Sequence, residues 1–218
     1  MQTWNISAGR TLAALACLAL ALAAGACAAA QTNNAGGAVA SVKTGVKPEP
    51  DAEAAVVETN YGRIVIELYP NVAPKHVERF KQLAREGFYN GTAIHRVEPG
   101  VVQGGDPNSK NADPSDDGMG DSPYPNLPAE FSDIPYEPGV VGAARTNDPN
   151  SANCQFFITL ARNPGWDNRY TVFGRVVEGL NNARIMSEAP TRPGTTRPDP
   201  KILIKSVAFQ PRANFQKQ

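Results

Sequence analysis

Hydrophobic and polar positions follow two different periods along most of the chain, and each period predicts one kind of element. Apolar and β-branched residues over Val56–Leu68 flank a turn at Asn60–Gly62, which predicts a β-hairpin. In the second arm Ile64, Ile66 and Leu68 share one face, as a period of two requires. The folded part of the chain is therefore expected to begin with two antiparallel strands.

A helical period follows the hairpin. Pro74 opens it, and a proline at the first helical position loses no hydrogen bond. An apolar stripe that includes Val77 and Phe80 continues the helix, which Gly87 ends. A second, shorter helix is predicted over Leu180–Met186.

Further apolar stretches predict strands at residues 94–103, 154–160, 170–177 and 201–209. Two helices among many short strands indicate a mainly β fold, an antiparallel barrel that is closed or nearly closed. Residues 106–140 are rich in Asp, Pro, Gly and Ser and are predicted to form a long loop, a feature that is often functional.

The first 26 residues have the pattern of a secretory signal peptide. Residues 11–30 carry no charge, Arg10 precedes them, and the small residues Ala24-Gly25-Ala26 match a cleavage site. The alternative is an uncleaved membrane anchor. The Leu-rich run Leu12–Ala24 has 13 residues, fewer than the roughly 20 that span a bilayer. We therefore expect export, with residues 1–26 as the signal and the periplasm as the location.

Cys27 directly follows the small residues and resembles the cysteine of a bacterial lipoprotein signal. Two alternatives stay open: a lipid anchor on Cys27, or a free soluble terminus. Residues 27–53 contain no aromatic residue and no sustained apolar period, which predicts a flexible linker with a span of about 25 Å. Residues 54–218 then form a single domain.

Composition excludes several classes of function. The 21 basic and 21 acidic residues give a net charge of zero, which argues against a nucleic-acid binder. Three cysteines are too few for a disulfide-dense scaffold, and two histidines, His76 and His95, leave little for a histidine-based metal site. We expect no cofactor and no metal. Nothing in the sequence suggests an interface between copies, so a monomer is expected.

Three segments carry motifs whose order and spacing belong together. Tyr89–Asp106 reads YNGTAIHRVEPGVVQGGD, Ala144–Ile158 reads ARTNDPNSANCQFFI, and Asp167–Val176 reads DNRYTVFGRV. Together they resemble the cyclophilins, a family of peptidyl-prolyl cis/trans isomerases, and the resemblance extends from about Val56 to Phe209. It implies a closed, eight-stranded antiparallel barrel with two capping α-helices.

The resemblance also implies a function and a set of site residues. The function is isomerisation of X–Pro bonds in proline-containing segments of exported proteins, by non-covalent catalysis in which Arg96 is the catalytic residue. The residues it implies for substrate binding surround an apolar proline pocket: Gln103, Phe157, Val101, Val102, Ala144, Arg145, Gln155, Trp166 and Tyr170. His95 is expected to support the fold, and Cys154 to be a buried small residue.

One departure from the family pattern keeps a second hypothesis open. Only Val101 and Val102 lie between Gly100 and Gln103, where the family usually has three residues that begin with Phe. A change of one residue reverses the faces of a strand unless a bulge absorbs it. The alternative function is therefore a non-catalytic module that binds proline peptides or acts as a chaperone.

Overall fold

The computed structural model describes residues 41–216. The strands are numbered in chain order: β1 (Glu53–Thr59), β2 (Gly62–Leu68), β3 (Ala93–Glu98), β4 (Val101–Asp106), β5 (Val140–Ala143), β6 (Phe156–Thr159), β7 (Val172–Glu178) and β8 (Ile202–Pro211). The helices are α1 (Pro74–Arg85) and α2 (Leu180–Ser187), and three short 3-10 helices lie between or after these elements.

All eight strands belong to one closed barrel. Around the barrel their order is β1-β2-β7-β5-β6-β4-β3-β8, and each neighbouring pair is antiparallel. The predicted fold class, an eight-stranded antiparallel barrel with two α-helices, is confirmed.

The β1–β2 hairpin forms where the alternating pattern predicts it. Thr59 pairs with Gly62 across the turn, and Gly62 has φ +107°, a conformation that glycine adopts without strain. Ile64, Ile66 and Leu68 are buried in the barrel core. One face therefore fills the barrel, as the period of two requires.

Both helices contribute apolar side chains to the same core. Phe80 and Leu83 of α1 and Met186 of α2 are buried in the cluster that fills the barrel. Pro74 stands in the first turn of α1, and Gly87, with φ +70°, follows its end.

β5 is the strand that the sequence did not predict. It has four residues, and the first of them, Val140, falls within the loop predicted at residues 106–140. Its Gly142 packs so closely that an added Cβ would collide with the Phe157 ring. A strand this short, with a glycine inside it, gives no hydrophobic period to detect.

The β3–β4 hairpin shows how the shortened segment between Gly100 and Gln103 fits the barrel. Arg96 pairs with Gln103, and the register shifts on both sides of Ile94. His95 is the extra residue on β3 and Gly105, with φ +91°, is the extra residue on β4. The two irregularities offset each other, because each strand has one extra residue. The pairing of β3 with β4 is therefore regular again from Arg96 and Gln103 onward.

The segment before β1 corrects the predicted flexible linker from residue 41 onward. The backbone of Lys43 bonds to Phe131 and Asp133 at 2.9 and 3.0 Å, and Lys43 Nζ donates to the Val72 carbonyl at 2.6 Å. Asp51 N–H donates to the Leu68 carbonyl at 2.9 Å. These hydrogen bonds reach residues that are distant in the chain, and a composition of small and polar residues does not reveal them.

The predicted signal peptide at residues 1–26, Cys27 and the linker to residue 40 lie outside the described residues. Within residues 41–216, neither helix combines the length and the apolar character that crossing a bilayer requires.

Candidate active site

A cavity of about 150 Å³, with three aromatic side chains in its lining, lies on the outer surface of the barrel, where β3, β4 and β6 meet the ends of two loops. We call it the proline cavity because the sequence predicts a proline pocket here. Its lining contains seven residues: Arg96, Val101, Ala144, Arg145, Phe157, Trp166 and Tyr170. The structure thus brings together seven of the ten residues predicted for the site.

Aromatic rings form the floor and one wall of the proline cavity. Phe157 is 5% exposed, and its ring centre lies 5.0 Å from that of Trp166 and 5.7 Å from that of Tyr170. Tyr136 stacks on Phe157 at 5.6 Å. The cavity therefore has a rigid aromatic base, of which sequence reasoning found all but Tyr136.

The two valines of the shortened segment have different positions. Val101 belongs to the apolar cluster around Phe157 and lines the proline cavity. Val102 is 1% exposed and lies in the barrel core. The prediction that Val102 contacts substrate is wrong, because successive strand residues point to opposite faces.

Arg96 stands at the edge of the proline cavity and is held on two sides. Its Nε donates to Glu98 Oε1 at 2.8 Å, and its Nη1 donates to Gln103 Oε1 at 3.2 Å. About 40% of its side chain is exposed. A guanidinium has five N–H donors, so three are left for a ligand in the cavity.

Gln103 and Gln155 continue the hydrogen bonds away from Arg96. Gln103 Nε2 donates to Gln155 Oε1 at 3.1 Å, and Gln155 Nε2 donates to the carbonyls of Gly118 and Gly120. Both glutamines line a neighbouring polar cavity of about 360 Å³ rather than the proline cavity. They are placed to orient Arg96 and the 118–120 loop.

Ala144 and Arg145 lie on the boundary between the proline cavity and the polar cavity. The Arg145 guanidinium lies 4.3 Å from the centre of the Tyr170 ring and donates to the carbonyls of Thr146 and Arg169. The N–H of Ala144 donates to the Gln155 carbonyl at 2.9 Å. This stretch of backbone is fixed in place beside both cavities.

His95 is part of the interior and not of the cavity. It is 5% exposed, and neither ring nitrogen has a hydrogen-bond partner among residues 41–216. Burial lowers its pKa to about 4, although the nearby Asp106 carboxylate acts in the opposite direction. The imidazole is therefore neutral at pH 7.

Cys154 is buried as well, and burial raises the pKa of its thiol to about 12. With a protonated thiol, and with no hydrogen bond at either His95 nitrogen, these two residues do not form a nucleophilic pair.

Glu98 is a charged residue of the site that sequence reasoning missed. It is two residues after Arg96 on β3, and positions i and i+2 of a strand share a face. That spacing was the available signal for an ion pair with Arg96.

Comparisons with known proteins identify a family. The family model described as cyclophilin type peptidyl-prolyl cis-trans isomerase/CLD matches residues 54–209. A probable peptidyl-prolyl cis-trans isomerase of Brucella suis is 40% identical over 175 residues, which cover 78% of this chain and 89% of that protein. Peptidyl-prolyl cis-trans isomerase ppi1 of Schizosaccharomyces pombe is 36% identical, covering 70% of this chain and 97% of the relative.

Solved structures show the same fold. A cyclophilin type peptidyl-prolyl cis-trans isomerase of Cryptosporidium parvum superimposes with a TM-score of 0.66 and 27% identity, covering 72% of this chain and 97% of its own. A second crystal structure of the same protein, in the presence of the dipeptide Ala-Pro, gives a TM-score of 0.65 and 26% identity, with coverage of 72% and 98%. The chain belongs to the family of cyclophilin-type peptidyl-prolyl cis-trans isomerases.

Proposed function

We propose that the proline cavity binds an X–Pro segment and that Arg96 lowers the barrier to rotation about its peptide bond. The observation that carries this proposal is the position of a guanidinium with free donors at the edge of an aromatic cavity. The relative that was crystallised in the presence of the dipeptide Ala-Pro supports a proline-containing ligand.

The height of the rotation barrier determines how much free energy of stabilisation the site has to supply. Conjugation of the nitrogen lone pair with the carbonyl gives an X–Pro bond a barrier of roughly 18–20 kcal/mol, and exchange takes tens to hundreds of seconds. An acceleration of about 10⁴–10⁵ lowers the barrier by roughly 5–7 kcal/mol. No covalent bond forms or breaks, so neither a nucleophile nor a proton shuttle is required.

Arg96 stabilises the twisted state more than either planar state. When the bond is twisted, the ring nitrogen becomes pyramidal and its lone pair becomes available as an acceptor. A guanidinium N–H directed at that lone pair supplies about 1.5–3 kcal/mol. The remainder comes from the desolvated aromatic site, which holds the proline ring over Phe157 while the preceding carbonyl rotates.

The backbone beside the cavity supplies the second point of attachment. The Ala144 N–H is already bonded within the protein, so the Ala144 carbonyl and the Arg145 N–H are the groups left to pair with an extended peptide. Because the peptide is attached on both sides of the X–Pro bond, one side is held in place while the other rotates.

A non-catalytic proline-binding or chaperone module is the second candidate. The observation that favours it is Val101, which stands where the family usually has an aromatic wall. Trp166, 5.0 Å from Phe157, provides an aromatic wall from the opposite loop. The cavity is thus still enclosed by rings, and we favour the enzyme.

We further propose that the protein acts as a monomer on unfolded exported proteins in the periplasm. The pattern of residues 1–26 supports export, and Cys27 supports a lipid anchor. In this arrangement the domain stands outside the membrane and its clients are exported chains.

The test is an NMR exchange measurement on an X–Pro peptide with the wild-type protein and the Arg96→Ala variant. Loss of the charge-assisted hydrogen bond is expected to lower kcat/KM by about 10- to 150-fold. Arg184→Ala, an exposed arginine of α2, is the matched control and is expected to retain wild-type activity. If the exchange rate with all three proteins is equal to the uncatalysed rate, the isomerase is excluded and the non-catalytic binding module remains.

A further inference from the structure

A third cavity, of about 180 Å³, adjoins the proline cavity on the side away from the polar cavity. Val101 and Trp166 line both the third cavity and the proline cavity, so the two share a wall. The polar cavity shares Ala144 and Arg145 with the proline cavity and shares no residue with the third. The three therefore lie in a row, and a bound peptide that passes over the proline cavity reaches a charged cavity at one end.

The charged groups at the third cavity and their ion-paired neighbours together carry a net negative charge. Glu98 and Arg162 line it, and ion pairs connect them to Arg96, Glu137 and Asp167. Two positive and three negative groups leave one net negative charge. The electrostatic potential at this end of the groove therefore favours a cation.

The hydrogen bonds of these groups show the same preference. All three nitrogens of Arg162 face carboxylates: Nε lies 3.0 Å from Glu137, Nη1 lies 3.0 Å from Asp167, and Nη2 also contacts Asp167. Glu98 Oε1 accepts a hydrogen bond from Arg96 Nε, and Glu98 Oε2 has no hydrogen bond among residues 41–216. Glu98 Oε2 is therefore an acceptor without a partner among the described residues, whereas each nitrogen of the neighbouring Arg162 already faces a carboxylate.

We propose that the third cavity is a subsite for a basic side chain, Lys or Arg, that flanks the proline of the substrate, and that Glu98 determines this specificity. The inference rests on the proposed isomerase function. Val101 and Trp166 offer apolar surface to the methylene stem, and Glu98 Oε2 accepts from the charged head. A long basic residue can bury its stem and keep its charge at the partly exposed carboxylate.

The expected preference is modest because Glu98 is partly exposed. An ion pair that is exposed to water contributes little to the free energy of binding. We therefore expect a change of about three- to fivefold in kcat/KM. Salt screens such a pair, so the preference is expected to decrease at high ionic strength.

The experiment uses the full chain and two series of proline peptides. In one series the residue before proline is Lys, Ala or Glu, and in the other the residue after proline is varied in the same way. NMR exchange gives kcat/KM for each peptide with wild-type protein, Glu98→Gln and Glu188→Gln. Glu188 is exposed, follows α2 and lines none of the three cavities, which makes its substitution a charge-matched control.

The quantity compared is the ratio of kcat/KM for the Lys peptide to that for the Glu peptide. A general effect of Glu98→Gln through Arg96 changes both values and cancels in the ratio. In one of the two series we expect a ratio of about three to five with wild-type protein and Glu188→Gln, and a ratio near one with Glu98→Gln.

Two results overturn the proposal: a ratio near one in both series with wild-type protein, or an unchanged preference in Glu98→Gln. Failure of the proposed function has a different signature, because the wild-type protein then accelerates none of the peptides, including those with alanine.

Discussion

At the scale of single residues, the guanidinium of Arg96 is oriented before a peptide arrives. Glu98 holds Nε and Gln103 holds Nη1, and Gln155 in turn holds Gln103. Donors that are fixed in advance need no reorganisation when the substrate bond twists, which is the condition under which electrostatic stabilisation is most effective.

His95 makes stability dependent on pH. Its pKa is about 4 in the folded protein because burial opposes the charged form, whereas an unfolded chain has the ordinary value near 6.5. Between pH 6.5 and 4 the unfolded state binds a proton that the folded state does not, so stability falls as the pH is lowered. The expected loss is on the order of 3 kcal/mol.

Urea denaturation of the wild-type protein and of a His95→Gln variant, measured at pH 7.0 and 5.0, tests this dependence. The wild-type protein is expected to lose stability between these values, and the variant is expected to lose clearly less. Because the pKa of Glu130 is lowered below its ordinary range, its titration affects stability only at lower pH. If both proteins lose the same free energy of unfolding between pH 7.0 and 5.0, the pH dependence comes from groups other than His95.

Most of the residues that line the proline cavity could be predicted from the family pattern, whereas Glu98 and Tyr136, which support Arg96 and Phe157, could not. Arg96 and Phe157 were identified because their neighbours in the chain carry the family pattern. Tyr136 stacks under Phe157 from a loop 21 positions earlier in the chain, and no motif marks it. The assignment of Val102 to the cavity failed because its face depends on the β3–β4 register.

At the scale of elements, the β3–β4 hairpin and the 41–52 segment decide how the site is built. In the hairpin, Arg96 and Gln103 lie opposite each other despite the shortened segment between Gly100 and Gln103. In the 41–52 segment, Val46 packs against the apolar cluster that contains Phe157. The long strands and α1 could be predicted from their periods, whereas β5 and the two irregularities of β3 and β4 depend on tertiary contacts.

Removal of residues 1–52 is expected to lower the stability of the domain, whereas removal of residues 1–40 is not. The longer deletion removes the hydrogen bonds of Lys43, the packing of Val46 and the ion pair of Asp51 with Lys81. We expect a loss of about 2 kcal/mol, or a fall in Tm of about 4–8 °C. Differential scanning calorimetry of the two truncated proteins and the full chain measures it, and equal Tm values would show that the segment adds no stability.

At the scale of the whole molecule, the proposed export separates the predicted signal at residues 1–26 from the predicted domain at residues 54–218. The net charge of zero argues against a nucleic-acid partner.

The amino terminus of the mature protein tests the proposed location. Cleavage after Ala26 is expected, so intact mass spectrometry of the protein from a bacterial envelope fraction should give a chain that begins at Cys27. Added diacylglycerol identifies the anchored form and an unmodified terminus identifies the soluble form. Retention of residues 1–26 would contradict both forms and support the uncleaved anchor.

Closure of the barrel has a consequence for a protein that we propose to act on unfolded chains. Each of the eight strands has a hydrogen-bonded partner on both sides, since β8 pairs with β1 and completes the ring. An unpaired strand at a sheet edge is a template on which extended chains aggregate. Among residues 41–216, no whole strand of the barrel is therefore exposed as a template of this kind.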